Sequence, residues 1–518
     1  MAKSYNKSIL SKLKIKASFI LFLVVFLIEF IAGVYFSYFK GILLNDAFSR
    51  TANAFYVLYV KPVRLASIGF VWNPLPSILQ LPFVALSKLW RPIVSSGISA
   101  VIMTSTSAAL TVLLLLKIFT EFNIQKKYSI LIIILYITNP FIFFYGMNGM
   151  SEEPFFLIII YITANMCLWI KKGTPEYIIK ISFALSLAFL CRYEAIPFSA
   201  AIGIGVLINI FSNEKEKKFI PNNFKNEKYY YAEGTAVVLY APILYTILIW
   251  IFLNWTITGN PLYFLNSVYS NSTQSQFTKP TGSFLETILY ILKRSISFLP
   301  PFFAVIINRL LTKRLLKSDF FILFTLITSM IIFHFLMLIK GSSYGWLRFF
   351  SYSLPICIAW LPYELSELKE TLQPLFFNII CVSLIISSIL TGAALSSPVI
   401  AIEEHYVVVS QQSTQISEYI NEELSDDKIM MDSFLTSAII LNIKNTDNII
   451  VSSHLNFNKY LNNPAKYGIK YIIVPDPNNG LGILDSFNKK YPSLYKHGSD
   501  WCTLKKEFEQ YKIFQVID

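Results

Sequence analysis

Four short clusters hold the residues best suited to chemistry, and each lies beside a long apolar run. G-I-L-L-N-D-A-F-S-R at 41–50 places Asp46 just past the first such run. G-M-N-G-M-S-E-E-P at 146–154 places Glu152 and Glu153 at the head of another. C-R-Y-E-A at 191–195 holds Arg192, Tyr193 and Glu194, and K-G-S-S-Y-G-W-L-R at 340–348 holds Lys340, Tyr344 and Arg348. A carboxylate at a lipid–water boundary suits a general base facing an amphiphilic substrate. Asp46 is equally suited to capping a helix that starts near Ala47. Glu152 and Glu153 suit acid–base work or, with Asp46, a divalent metal such as Mg or Mn; they also suit the positive end of a helix dipole. Arg192 and Glu194 are spaced to pair with each other. Lys340 and Arg348 suit a phosphate, Arg through its bidentate fork, or anchoring of spans at the interface.

The elements that position these clusters follow from composition. Of 518 residues, 54% are hydrophobic and 14% charged, against about 25% charged in a soluble domain. So little charge excludes a set of soluble domains and intrinsic disorder, and five Cys exclude a disulfide scaffold. The apolar runs are continuous rather than alternating, so the chain reads as a polytopic α-helical membrane protein and not a barrel. Eleven spans are expected: 17–38, 96–117, 128–145, 154–170, 177–191, 195–212, 235–256, 289–308, 319–339, 349–363 and 374–397. The basic N-terminus and an uncleaved first run read as a start-transfer anchor. With the N-terminus cytoplasmic, 21 of the 33 Lys and Arg in residues 1–401 fall inside and 12 outside, as the positive-inside rule requires. Six of the outer ones lie in one long loop, 39–92. That loop continues to G-F-V-W-N-P-L-P-S-I-L-Q-L-P-F at 69–83, with Trp72, Pro74 and Leu75. This part is too short to span and is expected along the membrane surface. All four clusters then share the outer face.

Residues 1–401 are thus read as the membrane domain and 402–518 as a soluble α/β domain outside. The tail carries 11 Lys, no Arg and 15 Asp or Glu. A helix over 406–424 is expected, then strands at 428–431, 449–452 and 471–474 among short helices. The net charge of +13 is therefore a label on the inner loops, and no nucleic-acid partner is implied. There is no H-E-x-x-H, no zinc spacing of Cys or His, and no Walker motif.

The order of motifs resembles the GT-C superfamily of membrane glycosyltransferases, in the branch of protein mannosyltransferases and aminoarabinose transferases. Those proteins carry D-E-x-x-Y-like residues soon after the first span and an h-P-P-L-like motif further on. N-D-A-F-S-R and W-N-P-L-P are the counterparts here; Asp46 matches the family Asp, and Ala47 stands where the family has Glu. The architectural resemblance covers about residues 15–400. It implies a sugar donor linked to a polyprenyl phosphate, dolichol or undecaprenol, and a glycan, lipid or protein acceptor. It implies Asp46 as base, Glu152 or Glu153 positioning acceptor or metal, and Arg192, Lys340 and Arg348 at the donor phosphate. Transfer would be inverting. A flippase of lipid-linked saccharides is the alternative, although no paired halves are visible. A non-catalytic assembly subunit is the third reading.

Overall fold

The computed structural model describes residues 2–212, 225–267, 270, 273, 275, 283–398, 406–408, 411–479 and 482–517. The basic stretch 213–224 and the expected domain boundary near 401 lie outside the described residues. Helix α1 (Ala2–Val34) runs into a π-helical turn at Tyr35–Phe39, and strand β1 (Ile42–Leu44) leads straight into α2 (Asn45–Tyr59). Three short turns follow, Leu75–Ile78, Leu81–Val84 and Pro92–Ser95, each with proline at its first or second position. There the missing N–H has no intrahelical partner to lose.

The bundle continues with α3 (Ile98–Glu121), α4 (Lys126–Ile137), α5 (Pro140–Met147), α6 (Glu152–Lys172), α7 (Pro175–Cys191), α8 (Ala195–Phe211) and α9 (Lys225–Thr258). After these come α10 (Phe284–Ser295), α11 (Pro300–Leu311), α12 (Ser318–Ile339), α13 (Ser353–Ser366) and α14 (Gln373–Leu395). All eleven apolar stretches are largely helical. Among the described residues, six helices are long and apolar enough to cross a membrane, or up to eight if each of two bent pairs counts as one span. The bends have local causes. Asn139 caps α5 by accepting from the Phe141 amide, Pro140 follows, and α4 and α5 meet at 68°.

The expected eighth span, 289–308, is helical but broken by the second bend. Pro300 and Pro301 supply no N–H to continue the preceding helix, and the two halves meet at 79°. Its first half, α10, is amphipathic. It opens on a capping box between Ser283 and Glu286, exposes Phe284, Leu285, Leu289 and Leu292, and ends in Lys293 and Arg294. Such a helix suits an interface rather than a bilayer core.

At one end of the bundle a buried ion network ties α11, α12 and α13 together. Arg309 donates to both carboxylate oxygens of Asp319 (2.8 and 2.9 Å) and to Glu364 (2.6 and 3.0 Å). Asn308 donates to the remaining oxygen, Glu364 Oε1 (3.0 Å), and Tyr363 adds a second bond to Asp319 Oδ2 (2.9 Å). Arg309, one residue past the expected eighth span, is fully buried. Removing one partner from such a set strands the others, at about 3–5 kcal/mol. Arg309→Ala is therefore expected to lower the thermal transition of the detergent-solubilised protein strongly. An unshifted transition would show that the network adds no stability.

The C-terminal part begins with β2 (Tyr406–Val408), which pairs antiparallel with β1. The helix expected from 406 is corrected accordingly: α15 starts only at Gln411 (Gln411–Glu423). Then come β3 (Ile429–Met431), α16 (Ser433–Ile440), β4 (Ile449–Ile450), α17 (Phe457–Asn462), β5 (Tyr471–Pro475), β6 (Cys502–Glu507) and β7 (Tyr511–Val516). The sheet order is β4-β3-β5-β7-β6, with β4, β3 and β5 parallel and β7 antiparallel to its neighbours. The final hairpin was not anticipated. After Cys502, β6 is wholly exposed, so C-T-L-K-K-E carries no buried alternation to read.

Helix α2 joins the two parts because its faces differ. Phe48, Ala52, Phe55 and Tyr56 pack into one core with Ile416, Ile420, Ile439 and Ile473 of the C-terminal unit. Asp46, Arg50 and Asn53, spaced one turn apart, point elsewhere. Arg91 fastens the same seam by donating to the carbonyls of Leu441 (2.5 Å) and Ile443 (2.6 Å) beyond α16.

Candidate active site

Asp46 sits in the first turn of α2. The helix has no side-chain cap, so the capping reading is corrected: N-cap position belongs to Leu44. The carboxylate instead accepts from Arg348 Nη2 at 2.7 Å. The β1–β2 pairing fixes the residue just before α2, and with it the entry of Asp46 into the site. Arg348 reaches over the ring of Trp346 (4.3 Å), and its Nε lies 3.5 Å from Glu152 Oε1.

Glu152 is placed by the tight turn before α6. Gly149 has φ +79°, and a Cβ there would stand 2.7 Å from that of Ala100, so only glycine fits. Arg192, at the end of α7, donates to Ser151 Oγ (2.9 Å), Glu152 Oε1 (2.6 Å) and Glu194 Oε1 (2.8 Å). Tyr352 also donates to Glu194 (3.0 Å). The structure thus joins Asp46, Glu152, Arg192, Glu194 and Arg348, residues of all four clusters, in one network that is buried except at the partly exposed Asp46. Burial works to raise the Asp46 carboxyl, but the guanidiniums of Arg348, Arg50 and Arg192 outweigh it and hold it below the ordinary aspartate value.

Arg50 completes the group and was not singled out from sequence. It is 6% exposed, and among the described residues its Nε and Nη1 have no hydrogen-bond partner. Burial lowers its pKa, while Asp46 and Glu152 are its nearest counter-charges. The signal was present in N-D-A-F-S-R: Asp46 and Arg50 are four apart, hence on one face of a helix.

Two candidates fall elsewhere. Glu153 turns to Glu29 of α1 and Thr111 of α3. Lys340 is exposed at the end of α12 and makes none of the network's bonds. Among the described residues no group of three His, Cys, Asp or Glu could hold a metal ion. The acidic donors themselves do not suit one, because Asp46 and Glu152 each face a guanidinium and Glu153 points away.

The loop 69–83 walls the site. Trp72 lines the cleft; Pro74 is buried at the head of the Leu75–Ile78 turn, and Leu75 packs on the main core. Asn73 donates to the Phe189 carbonyl (2.5 Å), and Tyr193 donates to that of Val71 (3.1 Å) while accepting from Trp250 (3.2 Å). Tyr193 therefore holds the loop. Tyr344 stacks on Trp346 (4.3 Å). Asp46, Arg348, Trp72 and Tyr344 open on a cleft of about 530 Å³, whose far wall is the C-terminal unit at Asp432–Leu435 and Ser452–Leu455.

This architecture is similar, as a fold, to that of known membrane-protein structures. One such structure is ArnT from Cupriavidus metallidurans. The structure bound to undecaprenyl phosphate aligns at TM-score 0.57 and 9% identity over 96% of this chain and 97% of that one. The apo structure aligns at TM-score 0.56 and 9% identity over 97% and 98%. No protein-family model and no curated protein matches the sequence.

Proposed function

We propose that this chain is an integral-membrane glycosyltransferase that moves a sugar from a polyprenyl-phosphate donor to an acceptor hydroxyl on the extracytoplasmic face. The observation that carries the proposal is the buried trio Arg50, Arg192 and Arg348 set around Asp46 in a fold shared with ArnT. Three guanidiniums meet three carboxylates, Asp46, Glu152 and Glu194, next to an open cleft, and the arginine forks suit a phosphate leaving group. The ligand of the similar ArnT structure, undecaprenyl phosphate, is of that class. An apolar cavity of about 350 Å³, lined by Gly33, Phe36, Leu43, Val101 and Phe144, adjoins β1 and suits a prenyl chain.

Asp46 takes the acceptor proton as the hydroxyl oxygen bonds to the anomeric carbon. The sugar–phosphate bond breaks, and the phosphate keeps its electron pair against Arg50, Arg192 and Arg348. One displacement inverts the anomeric centre, and no second carboxylate is needed as nucleophile. Glu152 is a positioning residue that holds Arg192 and Arg348. The N-terminus is assigned to the cytoplasm and the C-terminal unit to the outside. Purified protein in nanodiscs, given radiolabelled polyprenyl-phosphate sugars, is expected to release the sugar. A protein that binds these donors yet never breaks the bond contradicts the proposal.

A pH profile checks the base. The Asp46 carboxyl is depressed when folded, so its ionised form and its pairing with Arg348 persist through the ordinary carboxylate range and are lost only as pH falls below it. The value of kcat/KM should therefore stay flat from pH 7 to about 5. A single acidic limb near pH 6 would mark a different group as the base.

A further inference from the structure

The far wall of the cleft has a chemistry of its own. It is built at the carboxyl ends of two parallel strands, where open α/β sheets bind ligands. Asp432 and Ser433 follow β3, and Ser452, Ser453 and His454 come after β4. Every charge on this wall is already engaged. The Asp432 carboxylate accepts from the amides of Phe434 (3.0 Å) and Ser486 (2.9 Å) and from the Ser486 hydroxyl. Arg64, which also lines the cleft, donates to the Ser453 carbonyl and to Ser67 Oγ (3.4 Å). Burial and the neighbouring Arg64 both lower the His454 pKa, so the ring is neutral at pH 7. Its Nδ1 accepts from the Asn456 amide (3.1 Å), which leaves the proton on Nε2 as a donor.

What the wall offers is neutral hydrogen bonding. Ser433 and Ser452 share a hydroxyl pair (2.5 Å), and the Ser453 hydroxyl is buried without a partner among the described residues. His454 and Asn458 stand beside them. Across the cleft lies the stacked Tyr344–Trp346 pair, a flat surface suited to the apolar face of a sugar ring. Among the described residues, an anionic headgroup finds no uncommitted cation on the far wall, and a basic peptide finds no uncommitted carboxylate there.

We infer that the C-terminal unit selects the acceptor, and that this acceptor is an uncharged saccharide held by Ser433, Ser452, Ser453 and His454. The inference rests on the glycosyltransferase reading and names the acceptor class for the same cleft.

The test uses the full chain in nanodiscs with the polyprenyl-phosphate sugar it accepts. Three acceptors compete: an uncharged octyl disaccharide, the same glycoside bearing a phosphate monoester, and a serine-containing peptide. The uncharged glycoside is expected to give at least tenfold higher kcat/KM. Ser452→Ala and His454→Ala should each raise its KM about fivefold, the scale of one lost hydrogen bond, with kcat little changed. Lys496→Ala, exposed elsewhere on the same unit, should change neither. Preference for the phosphorylated glycoside or the peptide overturns the inference but leaves the transferase reading standing. So does an effect of the wall variants on kcat alone, or none. Failure to release sugar from the donor, to water or any acceptor, overturns both.

Discussion

Asp46→Asn is expected to lower sugar transfer by about 10²- to 10⁴-fold, the usual contribution of a general base, without loss of folded protein from the membrane. Asn keeps an oxygen in place to accept from Arg348 Nη2, now 2.7 Å away in the native protein, so the site's geometry has little reason to collapse. What disappears is the negative charge that receives the acceptor proton. Single-turnover transfer in nanodiscs measures the rate, and the thermal transition checks folding. A near-native rate in a well-folded Asn variant would remove Asp46 from the mechanism. An inactive variant that also unfolds would be followed by Asp46→Glu, whose longer carboxylate should restore part of the rate.

Arg50→Met is the second large effect, and it carries two signs at once. In the native protein Arg50 is buried with two nitrogens unpaired among the described residues, an arrangement that costs stability in the unliganded state. Methionine fills much of the same space without the charge. The unliganded thermal transition is therefore expected to rise or hold. Donor binding should suffer in the opposite direction. A hydrogen bond to a charged group is worth about 1.5–3 kcal/mol, so donor KM should rise about 10- to 150-fold. A role for Arg50 in packing alone predicts the reverse pair of results, with lowered stability and unchanged donor KM.

Much of the site was legible from residue types at the mouths of apolar runs. Asp46, Glu152, Arg192, Glu194 and Arg348 stood out because charges are rare beside spans, and the fold brings these five together. Glu153 and Lys340 looked equivalent in sequence, since neighbours on a helix or loop share composition but not direction. Successive positions of a helix point about 100° apart, so Glu152 meets Arg192 while Glu153 turns to Glu29. Arg50 was hidden in plain sight, because its position four residues from Asp46 matters only once α2 is known to be helical there.

The fold was legible to a similar degree. Hydropathy located the long apolar helices of the bundle but not the breaks at Asn139–Pro140 and Pro300–Pro301, which depend on caps and missing donors. In the C-terminal unit the buried strands β3, β4 and β5 showed as short apolar runs. The exposed β6 did not, and β2 was absorbed into a helix because only its partner β1, more than three hundred residues earlier in the chain, makes it a strand.

Sugar transfer is separated from sugar transport, and from a purely structural role, by the fate of one bond. Proteoliposomes containing the full chain would be supplied with polyprenyl-phosphate sugar labelled in the sugar, together with an uncharged glycoside acceptor. The anomeric configuration of the product would be read by NMR. The predicted result is label joined to the acceptor with inverted configuration, and none with Asp46→Asn. Label that crosses the bilayer still attached to its polyprenyl phosphate, or that stays on it without moving, would contradict the account.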